Sequence, residues 1–406
     1  MKKYYIYTFG CKVNQYESQL ISEKFRNDNL ERVQKPEEAD IIIFNSCTVT
    51  EDADKECKYF LRKATKLPNE PRIILTGCIV KNKNINIRNL FPNIEIITDK
   101  TKLFIGDQKQ TISGFDKRSR VFLKIQDGCN SFCSYCIVPY VRNTIWSKPE
   151  NKVLSEIENL IKNGYSEIVL TGIHIGKYDG GLSNLIEKII KIPLDFRVRI
   201  SSLELNEIDN KLIELVKINT EKICRHLHIP LQSGSDEILK LMNRMYSTKT
   251  FEEKINKIAR ILPDLALTTD IITGFPGETE KHHRETCDFI KQILFARFHI
   301  FRYSDRQGTK ASTFKNKVPI NEIKNRAKDL FEIDSAKRRD FLNKNIGTKR
   351  KAVKIGKDKA LTDNYIIVKR QSAVWNVKCE IKNKVTVNEK QQSGIFEVEI
   401  TDTSEI

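Results

Sequence analysis

Cys129, Cys133 and Cys136 stand on one short stretch, Cys129-Asn130-Ser131-Phe132-Cys133-Ser134-Tyr135-Cys136, directly after an apolar run at 121–126 that reads as a β-strand. Three thiols in C-x3-C-x2-C spacing, with no fourth to follow, limit the surrounding fold more than any other feature. Such a loop suits a metal group that it does not fully enclose. Structural zinc takes four ligands, usually in C-x2-C pairs, and fits this spacing poorly. Cubane iron–sulfur clusters are held by cysteine thiolates, and three thiolates leave one iron open to an outside ligand.

The strand ahead of this loop opens a series. Strand patterns at 121–126, 167–171, 197–202, 226–231, 268–273 and 298–303 alternate with helical ones at 149–163, 182–191, 208–218, 235–261, 278–294 and 320–344. Six βα units predict a partial (β/α)6 barrel, since a closed one needs about eight. Ligands of such barrels collect at the carboxyl ends of the strands, so the residues just after each strand are candidates for holding a cofactor. They are Gly172, Ser202, Glu204, Gln232, Asp270 and Gly274. Each has an ordinary reading beside this one, as a rim hydrogen-bonding, turn or capping residue.

Ahead of the barrel, strands at 4–9, 41–45, 72–76 and 94–97 alternate with helices at 14–26 and 52–66, which predicts a parallel α/β (flavodoxin-like) domain over 1–105. Cys11, Cys47 and Cys78 each follow one of its first three strands. Buried free cysteine is common, but three in equivalent places at one sheet end can converge on a shared metal group. Ten cysteines in a chain without an export signal read as reduced thiols. Cys57, Cys224, Cys287 and Cys379 are scattered and read as structural, as do His174, His226 and His228.

After 115–345, the span of the barrel, helical periodicity stops. Short β runs over 346–406 predict a small antiparallel barrel, an architecture often used for oligonucleotides. Its front half is basic, with Lys349, Arg350, Lys351, Lys354, Lys369 and Arg370, while Tyr365 and Trp375 could stack on bases or pack in a core. The whole chain carries 70 Lys and Arg against 53 Asp and Glu, a net charge of +17. Such an excess suits a polyanionic partner. With no long apolar run and no signal peptide, the reading is a cytoplasmic protein without a membrane span.

The C-x3-C-x2-C loop after the first barrel strand resembles the signature of the radical S-adenosylmethionine superfamily, and Tyr135 before the last cysteine belongs to that pattern. Tyr7-Thr8-Phe9-Gly10-Cys11-Lys12-Val13-Asn14-Gln15-Tyr16-Glu17-Ser18, Phe44-Asn45-Ser46-Cys47-Thr48-Val49-Thr50 and Thr76-Gly77-Cys78 resemble the opening of the methylthiotransferases. So do Leu170-Thr171-Gly172-Ile173-His174, Met242-Asn243-Arg244 and Asp270-Ile271-Ile272-Thr273-Gly274-Phe275-Pro276-Gly277-Glu278, and the tail looks like a TRAM domain.

The resemblance implies two [4Fe–4S] clusters and S-adenosyl-L-methionine. Cys129, Cys133 and Cys136 would hold the radical-generating cluster, with Tyr135 near the adenine. Cys11, Cys47 and Cys78 would hold an auxiliary, sulfur-carrying one. Gly10-Cys11-Lys12-Val13-Asn14 is most similar to the branch that adds a methylthio group to N6-threonylcarbamoyladenosine at position 37, in the anticodon stem-loop of tRNA. The alternatives are the same chemistry on N6-isopentenyladenosine or on a ribosomal-protein aspartate. An electron donor, a sulfur donor and a monomeric state complete the expectation, with Lys349, Arg350, Lys351, Lys354, Tyr365, Lys369 and Arg370 as RNA contacts. One stretch departs from the family: Arg142-Asn143-Thr144-Ile145-Trp146-Ser147 lacks the glycine and second arginine found in Arg-Gly-x-x-Arg-Ser.

Overall fold

A computed structural model describes residues 1–103, 111–115, 119–370, 377–379, 385–387 and 394–400. Trp375 lies outside them. The amino-terminal sheet is wholly parallel and has five strands, in the order Glu31–Arg32, Lys3–Thr8, Ile41–Ser46, Arg72–Gly77, Glu95–Ile96. The central strand is buried at every position, as an apolar run covered on both faces must be. The edge strand Glu31–Arg32 is too short and too polar to read from the sequence. The helix Lys12–Asn27 follows the first strand, and Glu51–Ala64 follows the third. Thr50 caps the latter by accepting from the Ala53 amide, ahead of three acidic residues in its first turn.

The barrel is built from two three-stranded parallel sheets. Arg120–Lys124, Glu167–Thr171 and Arg197–Ile200 form one; His226–His228, Ala266–Thr273 and Arg297–Arg302 form the other. A parallel bridge between Ser202 and His228 joins them. Six strands therefore run side by side in chain order, as the alternation predicts, and one continuous apolar core packs them against their helices.

The helix expected over 235–261 is two helices, Asp236–Leu241 and Thr248–Ile261. The Arg244 amide donates to the Leu239 carbonyl and the Asn243 amide to Lys240. Asn243 has a φ of +60°. That is a Schellman ending with asparagine in the left-handed position, and Ser247 caps the second helix. Another element unseen in the sequence is the hairpin of Gln126–Asp127 with Trp146–Ser147, which folds the family-departing stretch back over the start of the cysteine loop.

The long helix Ile320–Asn345 lies along the last barrel strand, where Asp334 accepts the Phe298 amide at 2.6 Å. The tail is a six-stranded antiparallel sheet whose described strands include Lys359–Thr362, missed in the sequence because it spans four residues. It docks on the lumen through Arg197 and Arg199, which donate to the Lys351, Leu361, Thr362 and Asp363 carbonyls at 2.7–3.1 Å.

Candidate active site at the junction of two cysteine trios

The loop carrying Cys129, Cys133 and Cys136 leaves the first barrel strand through Gly128, at a φ of +80°. A Cβ there would sit 2.2 Å from the Thr144 carbonyl oxygen, so the hairpin leaves room for glycine alone. The Met242-Asn243-Arg244 turn grips the loop from the other side. The Met242 carbonyl accepts the Ser134 amide at 3.0 Å, and the Asn243 side chain donates to the Phe132 carbonyl at 3.1 Å. Arg244 donates to the Cys133 sulfur at 3.2 Å while pairing with Glu204. His174 Nδ1 lies 3.5 Å from the Cys129 sulfur, and its Nε2 lies 2.5 Å from a Glu207 oxygen.

These neighbours set the loop's proton chemistry. Burial pushes the Cys136 thiol up to about 12. At Cys129 burial acts in the same direction, but hydrogen bonds from His174 and Ser131 outweigh it and hold the thiol below its ordinary value. Burial would lower His174; its bonds to Cys129 and Glu207 instead raise it to about 9.

In the amino-terminal domain Cys47 and Cys78 are buried and Cys11 is exposed. A Cβ on Gly10, whose φ is +82°, would come within 2.5 Å of both the Cβ and the sulfur of Cys47, so the loop bearing Cys11 lies directly against it. Burial, and then the neighbouring Cys78, push Cys47 up to about 12.

The two trios meet at Arg142. Its carbonyl accepts the Cys129 amide at 3.2 Å, and its Nε donates to the Cys78 sulfur at 3.4 Å. Its remaining N–H groups reach Asn14 (2.7 Å), Glu17 (2.9 and 3.1 Å) and Asp127 (2.8 and 2.9 Å). Lys100 and Lys124 complete the network on Glu17, at 2.5 and 2.7 Å. Although burial opposes it, these three cations hold the Glu17 carboxyl well below the usual range. Beside them Cys78 packs on Ile137 and Val141, just beyond Cys136.

The donor set suits iron–sulfur clusters. Each trio offers three thiols, and a nitrogen donor is directed at one sulfur or more of each, as thiolate-bound clusters require for charge balance and tuning. Among the described residues the one group of three ligating side chains whose donor atoms lie within 4.8 Å of one another is His228, Asp270 and His299. That histidine–aspartate group is hydrogen-bonded, at 3.1 and 3.2 Å.

The other sequence candidates are spread along the rim. Tyr135 packs with Ile238, Met242 and Phe275 behind the loop. Gly172 lies under Ile175 and the Gln126 carbonyl, and Gly274 faces Ile323, so both serve tight packing. Ser202 is exposed, and Glu204 reaches the loop through Arg244. Gln232 is buried in the left-handed conformation four residues past the strand His226–His228, bridged to Ile271, and Asp270 faces the lumen between two histidines.

In the tail, Lys349 and Lys354 are exposed, Lys369 is partly exposed, and Lys351 pairs with Glu221. Two residues read as RNA contacts turn inward. Arg350 is buried on Asn345, because Asp264 and Asp363 lie within 4.0 Å of its guanidinium. Tyr365 stacks on His226, with ring centroids 4.2 Å apart, and Arg199 covers its ring at 5.3 Å. For Arg370 only the strand is described. Arg142, Arg244, His174 and Glu17 were not site candidates in the sequence. The signal for Arg142 was its survival in a stretch that otherwise departs from the family.

Residues 123–290 match the model of the radical SAM superfamily, and 3–99 match that of uncharacterized protein family UPF0004. The radical SAM family uses S-adenosylmethionine and [4Fe–4S] clusters. The threonylcarbamoyladenosine tRNA methylthiotransferase MtaB of Aquifex aeolicus is 35% identical over 392 residues, covering 90% of this chain and 95% of that one. The tRNA-2-methylthio-N(6)-dimethylallyladenosine synthase of Clostridium botulinum is 34% identical, covering 82% and 81%. Among solved structures, the radical S-adenosylmethionine methyltransferase TsrM from Kitasatospora setae superposes with a TM-score of 0.55 over 74% of this chain and 75% of that one, at 12% identity. That likeness speaks to the fold alone.

Proposed function

The chain belongs to the family of radical S-adenosylmethionine tRNA methylthiotransferases, and we propose that its substrate is N6-threonylcarbamoyladenosine at position 37 of tRNA, which it converts to the 2-methylthio derivative. The observation that carries the reading is the junction at Arg142. One residue touches a cysteine of each trio, which suits a reaction that needs a radical source and a sulfur source side by side.

In this reading Cys129, Cys133 and Cys136 hold one [4Fe–4S] cluster, and Cys11, Cys47 and Cys78 hold the other. When bound, the clusters and S-adenosylmethionine supply the radical chemistry and the sulfur. The chain's own residues place them. Arg244 and His174 donate hydrogen bonds to the barrel thiolates, Arg142 does so for Cys78, and the hairpin through Trp146 covers the loop. Glu204, Gln232 and Asp270 offer polar groups toward S-adenosylmethionine or substrate, and Tyr135 shapes the wall behind the loop.

Residues 1–105, 115–345 and 346–406 act as auxiliary-cluster, radical and tRNA-binding domains. The exposed Lys349 and Lys354 meet the anticodon stem-loop, while Tyr365 and Arg350 dock the tail on the barrel. The enzyme works as a cytoplasmic monomer, with an electron donor and a sulfur donor. No helix among the described residues is long and apolar enough to cross a membrane.

The test is nucleoside mass spectrometry of tRNA from a strain that makes N6-threonylcarbamoyladenosine but lacks its methylthiotransferase. Expression of this chain should convert that nucleoside to its 2-methylthio form. The Clostridium relative favours a second reading, N6-isopentenyladenosine. A methylthio group found on that nucleoside alone decides for it.

A further inference from the structure

The last three barrel strands carry one hydrogen-bonded chain of side chains across the lumen. His226 and His228 stand on the first of these strands, Thr268 and Asp270 on the second, and His299 on the third. Leu227, Leu267, Ile271 and Phe298, which alternate with them, pack in the core against the helices, so the five polar residues face inward. Thr268 Oγ1 lies 2.9 Å from both His226 Nε2 and His228 Nδ1. One Asp270 oxygen lies 3.1 Å from His228 Nε2, and the other lies 3.2 Å from His299 Nδ1.

A neutral imidazole has one N–H and one lone pair, and one order of protons suits this chain. His226 Nε2 donates to the Thr268 hydroxyl, the hydroxyl donates to His228 Nδ1, and His228 Nε2 donates to Asp270. The reverse order would leave an N–H at His226 Nδ1, which is buried without a partner, and would turn the His228 lone pair onto the carboxylate. His299 completes the chain by donating from Nδ1 to the second Asp270 oxygen. In the neutral ring its Nε2 is therefore an acceptor, and that atom has no hydrogen-bond partner among the described residues.

The open end of the chain lies toward the cysteine trios. Side-chain exposure rises from 9% at His228 through 22% at Asp270 to 37% at His299, and His299 is the one histidine of six that is not buried. Phe301, two residues on and on the same face of the strand, is an exposed aromatic. Beyond it the chain docks on the amino-terminal domain. Ser304 accepts the Glu51 amide at 2.9 Å, and Arg306 donates at 2.8 Å to Thr48, the neighbour of Cys47. The barrel trio follows the first strand, at the other edge of the row. His299 and Phe301 thus form a wall that leads up to the amino-terminal trio. Enzymes that act on a base take it out of the stack into a pocket. An open acceptor beside an exposed aromatic face suits a base that carries a polar substituent.

We propose that His299 Nε2 accepts a hydrogen bond from the threonylcarbamoyl group, from its hydroxyl or its amino-acid N–H, and so selects this adenosine over one with an apolar N6 substituent. An isopentenyl group lacks both donors and would cover Nε2 without satisfying it, which is costly. Asp270 is the positioning residue, because it keeps the proton on Nδ1 and the lone pair on Nε2. The proposal rests on the substrate reading above and names the residue that enforces it.

The experiment measures binding of three anticodon stem-loops, identical but for the target nucleoside: N6-threonylcarbamoyladenosine, N6-isopentenyladenosine or unmodified adenosine. S-adenosylmethionine is left out, so that a residue serving only the cofactor shows no effect. The proteins are cluster-loaded wild type, His299→Phe, His299→Gln and Asp270→Asn, with iron content matched. Wild type should prefer the threonylcarbamoyl RNA over the isopentenyl one about tenfold, or about 1.4 kcal/mol. His299→Phe should lose that preference with its affinity for unmodified RNA unchanged. His299→Gln, whose amide oxygen is an acceptor, should fall between the two, and Asp270→Asn should lower the preference without weakening unmodified RNA. If His299→Phe retains the preference, the proposal fails while the substrate reading stands. If it weakens all three RNAs equally, His299 supports RNA binding in general and the proposal also fails. A wild type that prefers the isopentenyl RNA overturns the substrate reading itself. Carbethoxylation of wild type by diethyl pyrocarbonate, mapped by peptide mass spectrometry, reads the contact without any substitution, should a variant not hold its clusters. The threonylcarbamoyl RNA should protect His299 and the isopentenyl RNA should not; equal protection by both overturns the proposal.

Discussion

Replacing Arg142 with alanine removes six hydrogen bonds at once: one to Cys78, two to Glu17, two to Asp127 and one to Asn14. Removing one partner of a buried ion pair costs about 3–5 kcal/mol, because the charge left behind has lost its solvation. Here Lys100 and Lys124 remain on Glu17, and Lys124 remains on Asp127, which sets the expected loss at the lower end, about 3 kcal/mol. For a cooperative unit of about 150–250 residues that corresponds to a fall in Tm of about 6–12 °C. Anaerobic calorimetry of the cluster-loaded protein measures it. Electron paramagnetic resonance should report a second effect, a changed signal from the cluster proposed for Cys11, Cys47 and Cys78, because Cys78 has lost its N–H donor. Arg142→Lys keeps the charge without the planar fork and should fall between the two. A Tm for Arg142→Ala within about 2 °C of wild type, with an unchanged signal, would refute the argument that this residue joins the two domains and tunes the cluster.

Two further perturbations probe other parts of the account. Gly10→Ala places a Cβ 2.5 Å from Cys47 at a φ of +82°; the left-handed backbone alone costs about 1–2 kcal/mol, and iron analysis should show loss of the amino-terminal cluster with the barrel cluster kept. Glu167 is held well below its ordinary value despite burial, by Arg199, Arg197 and Arg120. Its stabilising contribution is therefore present above the unfolded-state pKa, about 4.3, and is lost only as pH falls through the lower folded value. Wild type should stay folded by circular dichroism at about pH 4, within the window set by that unfolded value, whereas Glu167→Gln, with three arginines uncompensated, should be less stable throughout the neutral range.

The parts of this fold that read directly from the sequence are those set by local pattern. The buried run Ile41–Ser46, the six barrel strands and both cysteine trios are signalled by neighbours in the chain. What stayed hidden depends on partners far away. Arg142 meets Glu17 across 125 positions, and Arg244 meets Cys133 across 111. No local spacing marks either residue as a sulfur partner. Tyr365 was visible as an aromatic on a basic strand, but only the packing of tail on barrel decides that its ring faces His226 and not solvent. Asn243 is an intermediate case: asparagine can end a helix in the left-handed conformation, yet the apolar pattern of 235–261 runs through it. The turn it makes is what aims Arg244 at the cysteine loop.

The central claim is that two independent clusters face each other at the junction, and iron and sulfide analysis with electron paramagnetic resonance tests it most directly. Anaerobically reconstituted wild type is compared with a Cys11→Ala/Cys47→Ala/Cys78→Ala variant and a Cys129→Ala/Cys133→Ala/Cys136→Ala variant. The account predicts about eight irons in wild type and about four in each variant, the content of two separate cubane clusters. About four irons in wild type, all lost with the barrel cysteines, would contradict it and leave the amino-terminal trio without a cluster to hold.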